Sequence, residues 1–275
     1  MTVARTMIYH DTSLRRSLQY AGVSRKRWYY TNKPREIPVN YIIAQAMQEE
    51  GSARPTYGTR RMAAILSRHL GLSVNRKQIQ RIYRKLGWIV PQKRKSDIIR
   101  SAKKLLRPTS PDQLWEADMT YIWCGSDRWC YLFNVIDIFT REWIGYAFDV
   151  TATRHNAVMS VNNAISSRKP HTPGLTIRVD NGSQYISSDF QKSIKILGAE
   201  LEFIYYHTPE QNGHIESFHK TLKKEYIWPH DFGNYQEAEV VIIKAFDDYN
   251  NCRIHSALGY RTPSEFYRSW EMIHK

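Results

Sequence analysis

The sequence is poor in cysteine and contains no long apolar run. Its three cysteines, Cys124, Cys130 and Cys252, show neither the spacing of paired metal ligands nor that of a disulfide framework, so we expect reduced thiols in a cytosolic compartment. No stretch of about 18 apolar residues occurs, and the N-terminus lacks the apolar segment of a signal peptide. These absences exclude membrane-spanning and secreted proteins and predict a cytoplasmic one.

Acidic residues are scarce in the first 110 positions, which contain 24 Lys and Arg against 5 Asp and Glu. Residues 111–275 contain 16 against 21. A strongly basic half indicates a polyanionic partner, and phosphate neutralisation by Lys and Arg makes double-stranded DNA or another nucleic acid the leading candidate. A solvated basic surface is the alternative. The length of 275 residues allows one large or two modest domains.

Residues 1–36 are expected to form a short helical segment. Leu14 and Leu18 give one helix an apolar face, Gly22 ends it, and Ser24 can cap a second helix. The pair is typical of a helix-turn-helix-like segment. An ordinary packing hairpin is the alternative.

Residues 37–90 are predicted to form a helical DNA-binding domain. We expect its helices near 39–50, 58–70 and 76–86. The third can be capped by Asn75, with Gln78 completing a capping box, and Ile79, Ile82 and Leu86 form its buried stripe. Six polar residues then face outward, as in a recognition helix placed in a major groove, with a solvated basic helix as the alternative. They are Arg76, Lys77, Gln80, Arg81, Arg84 and Lys85.

Residues 91–112 are predicted to be a basic linker, which could follow a DNA backbone or be a solvated tether. From residue 113 to residue 275 the pattern becomes α/β. Short aromatic or β-branched runs predict strands, and the helices between the later strands predict a mixed sheet covered by helices. We expect the strands at 118–124, 128–137, 142–150, 175–179 and 199–205. We expect the helices near 154–168, 187–197, 212–226, 235–250 and 263–273.

Three acidic residues have distinctive local contexts in this second half. Asp118 lies in the first strand, Asp180 follows a later strand, and Glu216 stands in the first turns of a helix. Three carboxylates held together can bind two Mg²⁺ ions, because Mg²⁺ prefers oxygen ligands, and such sites perform phosphoryl transfer. Lys220 and Lys223 share the helix face of Glu216 and could contact phosphates, or they are ordinary surface lysines.

Several motifs, in this order, resemble those of DDE transposases and retroviral integrases, and most closely those of OrfB-type transposases of prokaryotic insertion sequences. The motifs lie at 57–61, 74–77, 115–122, 180–187, 213–225 and 249–263. The resemblance implies an RNase H-like catalytic core with Asp118, Asp180 and Glu216 as catalytic residues that bind two Mg²⁺ ions, for which Mn²⁺ can substitute. It also implies hydrolysis of a strand at the element's end, followed by attack of the freed 3′-OH on another phosphodiester.

The resemblance further implies a homo-oligomer on DNA, and some OrfB proteins act only when joined to an upstream helix-turn-helix OrfA-like protein. Two other functions stay open at this point. One is a non-catalytic DNA-binding regulator or partial product, and the other is an RNase H-like nuclease. His214 and His219 are candidates for DNA contact or for positioning a water, with surface placement as the alternative. Arg253 and His255 are expected either to tie the last helices to the core or to contact substrate.

Overall fold

The computed structural model describes residues 2–29, 40–89, 107–170, 174–205 and 209–274. The chain forms two compact units, Met1–Asn40 and Tyr41–Lys275. The predicted helical domain at 37–90, apart from residues 37–40, and the predicted core at 113–275 therefore both lie in the second unit. Most of the predicted basic linker lies outside the described residues.

The first unit contains three described helices where the sequence predicted two. They are α1 (Thr2–Tyr9), α2 (Leu14–Tyr20) and α3 (Arg25–Trp28). The cap of α3 is as predicted, since the Ser24 hydroxyl accepts a hydrogen bond from the Arg27 backbone N–H at 3.2 Å. The missed helix α1 buries only Ala4, so it offers little apolar periodicity to read from the sequence.

The helical region of the second unit contains α4 (Tyr41–Ala53), α5 (Thr59–Leu70) and α6 (Arg76–Lys85). Helix α4 continues through Gly51, which the sequence suggested as a break. A single glycine costs a helix only about 1 kcal/mol, whereas Pro55 lacks the N–H that a helix interior needs. The buried side chains of Ile43 and Met47 hold α4 in place and outweigh that cost.

Helix α6 begins as predicted. The Asn75 side chain accepts from the Lys77 backbone N–H at 2.8 Å, and Gln78 accepts from the Asn75 backbone N–H at 2.9 Å. The predicted buried stripe was wrong at its end, because Leu86 is 49% exposed and Tyr83 is buried instead. Leu86 is the C-cap residue, so it lies beyond the last regular turn and no longer follows the helical period.

The part of the chain after residue 113 is built on a mixed five-stranded sheet of order β3-β2-β1-β4-β5, as predicted. Its strands are β1 (Leu114–Trp123), β2 (Trp129–Asp137), β3 (Trp143–Asp149), β4 (Thr176–Val179) and β5 (Glu200–Phe203). The first three form an antiparallel meander, and β4 and β5 run parallel to β1. Strand β1 begins four residues earlier than predicted, which places Trp115 and Glu116 inside the sheet.

Helices cover both faces of this sheet. They are α7 (Arg154–Arg168), α8 (Ser183–Ile186), α9 (Ser188–Ile196), α10 (Gly213–Leu222), α11 (Tyr235–Asn251) and α12 (Pro263–His274). One apolar core lies between the sheet and α7 and α9, and a second lies between the sheet and α10 and α11. Helix α10 runs into a π-helical turn at Lys223–Ile227. No described helix is long and apolar enough to span a membrane.

The helical region contacts the core through polar groups near α11. Arg54 donates two hydrogen bonds to the Asp248 carboxylate, at 2.5 and 2.6 Å, and the Tyr226 hydroxyl donates to the same carboxylate at 2.7 Å. The buried hydroxyl of Tyr57 accepts from the Ile254 backbone N–H at 3.1 Å. These contacts anchor α4 and α5 on the C-terminal part of the core.

The Asp248 carboxylate makes this contact pH-dependent. Burial raises the pKa of Asp248, but the hydrogen bonds from Arg54 and Tyr226 outweigh it and hold the pKa below its ordinary value of 3.8. A carboxylate with a depressed folded pKa stabilises the fold above that ordinary value, and this contribution is lost as pH falls through the folded pKa. We expect thermal unfolding to separate wild type from Asp248→Asn by a constant Tm difference above about pH 5, which shrinks below about pH 4. A difference independent of pH would contradict this origin.

Candidate active site

The three predicted acids stand on three adjoining elements. Asp118 lies within β1, Asp180 directly follows β4, and Glu216 lies in the first turn of α10. Strands β1 and β4 are parallel neighbours with Ala117 paired to Val179, so the two aspartates occupy the next register positions. The placement agrees with the expectation that the acids stand on two strands and one helix.

A buried network joins these elements directly beneath the acids. Glu116 and Arg178, each two residues before an aspartate, are paired across β1 and β4 and are 0% and 2% exposed. Arg178 Nη1 lies 3.4 Å from Glu116 Oε1, and the other oxygen of Glu116 accepts from the Ile215 backbone N–H at 2.9 Å. Arg178 Nε also donates to Glu202 Oε2 on β5 at 2.8 Å. One ion pair therefore fixes β1, β4 and the start of α10 relative to one another.

The carboxylates lie within electrostatic range of one another. Burial, the negative charges of Asp180 and Glu216, and that of Glu116 raise the pKa of Asp118 to about 7, although the Met119 backbone N–H opposes the shift. Carboxylates that repel one another in a partly buried site need a positive partner to be fully ionised. A cation bound between these carboxylates would therefore stabilise their ionised forms.

A buried histidine lies beside Asp118. His219 Nδ1 lies 3.6 Å from Asp118 Oδ2, and Asn134 Nδ2 lies 3.0 Å from His219 Nε2. Burial and the charge of Lys223 lower the pKa of His219 to about 3, so the ring is neutral. If the Asn134 amide donates to Nε2, the proton sits on Nδ1 and faces Asp118. His219 is 9% exposed, so the surface placement considered for it was wrong.

The turn after β4 fixes Asp180. Its Oδ1 accepts from the Gly182 backbone N–H at 2.9 Å, and a Cβ atom at position 182 would meet that oxygen at 2.8 Å. A side chain at position 182 would therefore push the Asp180 carboxylate out of this position. The Tyr185 hydroxyl is buried without a hydrogen-bond partner among the described residues, and burial and the charges of Asp118 and Asp180 raise its pKa well above 10.

The donor set fits a hard divalent cation. It consists of carboxylate oxygens, which Mg²⁺ prefers, with an orphaned hydroxyl nearby and mutual repulsion that a cation would relieve. Within the described residues, no three His, Cys, Asp or Glu side chains lie close enough to form a closed metal-ligand group. The three acids are thus close enough to interact electrostatically, but their side chains do not point at a common metal position.

The two lysines predicted to lie on the helix face of Glu216 have different surroundings. Lys220 Nζ lies 3.9 Å from Glu216 Oε2, as predicted for residues four apart on one face. Lys223 begins the π-helical turn and places Nζ 4.4 Å from the centre of the Tyr121 ring, and burial lowers its pKa. Lys223 lies seven residues beyond Glu216, roughly 10 Å along the helix axis at 1.5 Å per residue, so it does not join Lys220 beside Glu216.

The predicted DNA-contact residues of α6 share its outer side. Arg76, Lys77, Arg84 and Lys85 are exposed, whereas Gln80 and Arg81 are half-buried. Arg76 donates to the Thr59 hydroxyl at 3.3 Å, and so joins α6 to the start of α5.

The buried network of Glu116 and Arg178 was not predicted from the sequence. Its one signal there is that each of these residues lies two positions before one of the two aspartates.

Three family patterns match the chain in an order that agrees with this architecture. An HTH-like domain matches residues 41–96, and the integrase core domain matches residues 108–209 and 197–263. The chain is 30% identical over 259 residues to an uncharacterised 31.7 kDa protein of insertion element IS407 from Burkholderia multivorans, covering 93% of this chain and 91% of that protein. It is also 30% identical over 244 residues to the IS904 transposase of Lactococcus lactis, covering 84% and 94%. The chain belongs to the insertion-element transposases.

The fold comparison agrees with this assignment. The transposase matches the cryo-EM structure of a simian T-cell lymphotropic virus intasome with a TM-score of 0.51 at 18% identity, over 82% of this chain and 74% of that one. At this identity the match reports the fold alone, an integrase-type core. Family membership makes the transposase a metal-dependent polynucleotidyl transferase that acts on DNA.

Proposed function

We propose that this transposase cleaves a DNA strand at the ends of its insertion element and joins the freed 3′-OH to target DNA, with Asp118, Asp180 and Glu216 holding two Mg²⁺ ions. The observation that supports the proposal is the placement of the three acids on β1, directly after β4 and in the first turn of α10, three elements that the Glu116–Arg178 pair joins. Asp118, Asp180 and Glu216 would hold the cations, which would supply charge stabilisation for in-line displacement at phosphorus, the chemistry that both cleavage and joining need.

In this proposal the residues of the site and of α6 have distinct roles. The Glu116–Arg178 pair holds the elements that carry the acids, and His219 orients Asp118. Glu216 has a side chain that is 41% exposed, so it has room to turn toward a cation shared with the aspartates. Lys220 lies beside Glu216 and contacts a phosphate of the bound strand. Helix α6 enters a major groove with Arg76, Lys77, Gln80, Arg81, Arg84 and Lys85, and Lys223 contacts DNA near the site.

The proposal is tested by strand-transfer assays on oligonucleotides that carry the element's terminal sequence. We expect 3′-end cleavage and joining with Mg²⁺ or Mn²⁺, and neither product after chelation with EDTA, since oxygen-ligand sites lose their catalytic charge with the metal. DNA binding should survive chelation, because the basic residues of α6 need no metal. Products formed at the same rate in EDTA would contradict the proposal. Binding without any reaction would favour a non-catalytic regulator or a dependence on an OrfA-like partner.

His219 provides a second test of the same site. We expect His219→Ala to lower strand transfer roughly 10–100-fold and to raise the Mg²⁺ concentration needed for half-maximal rate, because outer partners of metal ligands have effects of this size. DNA affinity should not change. His230→Ala, which alters an exposed histidine beyond the π-helical turn, is the matched control. An unchanged Mg²⁺ requirement for His219→Ala would show that His219 does not position Asp118.

The chain is further proposed to act as a homo-oligomer on two DNA ends. Support comes from its family membership, since joining the ends requires two sites in one assembly. Size-exclusion chromatography with and without paired end oligonucleotides measures this, and a monomer bound to paired ends would overturn it.

A further inference from the structure

A polar cavity lies behind α10, on the side of the helix away from Glu216. His214, Ser217 and Thr221 line it from α10, and these residues share one helical face opposite that of Glu216 and Lys220. Arg61 of α5, Arg141 of the turn between β2 and β3, and Arg253 beyond α11 complete its walls. Its volume is about 270 Å³. The helical region and the core therefore build this cavity together.

Positive charge exceeds negative charge around the cavity. Arg253 is 3% exposed and bonds both oxygens of Glu225, at 2.7 and 3.0 Å, and Arg61 Nη1 lies 3.5 Å from the same carboxylate. Two guanidinium groups thus share one carboxylate. His255 lies 3.0 Å from Arg253 Nη1, and burial and the neighbouring arginines lower the pKa of His255 to about 2, so it adds a neutral hydrogen-bonding group.

Arg141 is the residue of this cavity whose positive charge is least neutralised. Among the described residues, no carboxylate lies within 4.0 Å of its guanidinium, which donates instead to His214 Nδ1. Burial lowers the pKa of Arg141, and Tyr249, Glu116 and Asp137 oppose this only from a distance. A partly buried guanidinium without a paired anion is costly unless a ligand neutralises it.

We propose that this cavity binds a phosphate group through Arg141, with Arg61, Arg253, His214, His255 and Ser256 around it. Guanidinium groups bind phosphate oxygens through paired, directional hydrogen bonds. Arg141 lines this cavity without a paired carboxylate among the described residues, with Arg61 and Arg253 as further positive charges in its walls, and the space holds a phosphate with several waters, at roughly 30 Å³ per water. The phosphate comes either from the backbone of bound DNA or from a free phosphate or nucleotide. The inference does not depend on the carboxylate chemistry proposed above.

The first arm of the test measures thermal unfolding of the full chain in sodium phosphate and in sodium chloride of equal ionic strength. At ten times the dissociation constant, we expect phosphate to raise the Tm of wild type by roughly 3 °C. Arg141→Gln and Arg61→Gln should each lose this increment, and Arg141→Lys should keep part of it. Arg268→Gln removes one exposed arginine of α12 outside the cavity and should keep all of it. The control also removes the general stabilising effect of phosphate as a salt.

The second arm distinguishes the sources of the phosphate. If DNA supplies it, the slope of log K against log salt for duplex DNA falls in magnitude by about 0.9 in Arg141→Gln and not in Arg268→Gln. If the source is a free phosphate, the slope is the same in both variants while the Tm increment is still lost in Arg141→Gln. The inference is overturned if Arg141→Gln and Arg61→Gln match Arg268→Gln in both arms. Tm values in chloride show that each variant is folded.

Discussion

Replacing Asp180 with asparagine is expected to abolish cleavage and strand transfer while leaving DNA binding intact. Asparagine has the same shape, and its side-chain oxygen can still accept from the Gly182 backbone N–H, so the turn after β4 should hold. The change removes one negative oxygen from the carboxylate group. Metal ions contribute several kcal/mol of charge stabilisation to such transfers, so we expect a loss of roughly 10³-fold or more in strand transfer.

The control for this variant is Asp189→Asn. Asp189 is an acid of α9 whose side chain is 54% exposed and which pairs with Arg154 at 2.7 Å, so the same chemical change there should leave strand transfer within about twofold of wild type. Gel-shift binding to an end oligonucleotide and the rate of joined product are measured on the same preparations. Strand transfer by Asp180→Asn at the wild-type rate would show that the catalytic assignment is wrong.

Local signals predicted a helix best where both of its ends carry clear caps. Helix α7 was predicted at 154–168 and occupies Arg154–Arg168, because Thr153 and Asn156 form a capping box at one end and Lys169 adopts a left-handed conformation at the other. The start of β1 was missed because Glu116, a charged residue, does not read as a strand interior. It is buried there beside the Ile215 backbone N–H and Arg178, which lie 99 and 62 positions later in the chain.

The candidate site was predictable as a set of residues but not as an arrangement. The contexts of Asp118, Asp180 and Glu216 identify the acids, whereas the Glu116–Arg178 pair and the contact of His219 with Asp118 depend on which strands pair and in which register. The cavity behind α10 was beyond sequence reasoning for the same reason. Arg61 and Arg141 are 80 positions apart and meet only when the helical region docks on the core.

The buried pair beneath the acids gives the prediction with the largest effect on stability. In Arg178→Met, Glu116 would remain in the core without its paired cation, with the Ile215 backbone N–H as its hydrogen-bond donor and Arg141 acting on it only from a distance. Breaking a buried ion pair by removing one partner costs roughly 3–5 kcal/mol. For a chain of this size, we expect Tm to fall by roughly 6–15 °C. Arg154→Met, which breaks an exposed pair, should cost less than about 1 kcal/mol.

A double variant separates the loss of the ion pair from the loss of packing. Glu116→Gln combined with Arg178→Met removes the unpaired charge, and the side-chain oxygen of the glutamine at this position can still accept from the Ile215 backbone N–H. We therefore expect the double variant to be more stable than Arg178→Met alone. Thermal and urea unfolding measure the double variant, Arg178→Met and Glu116→Gln alone. If the double variant were less stable than Arg178→Met by the full cost of Glu116→Gln alone, the two side chains would be energetically independent. The pair would then not be what fixes β1, β4 and α10 around the three acids.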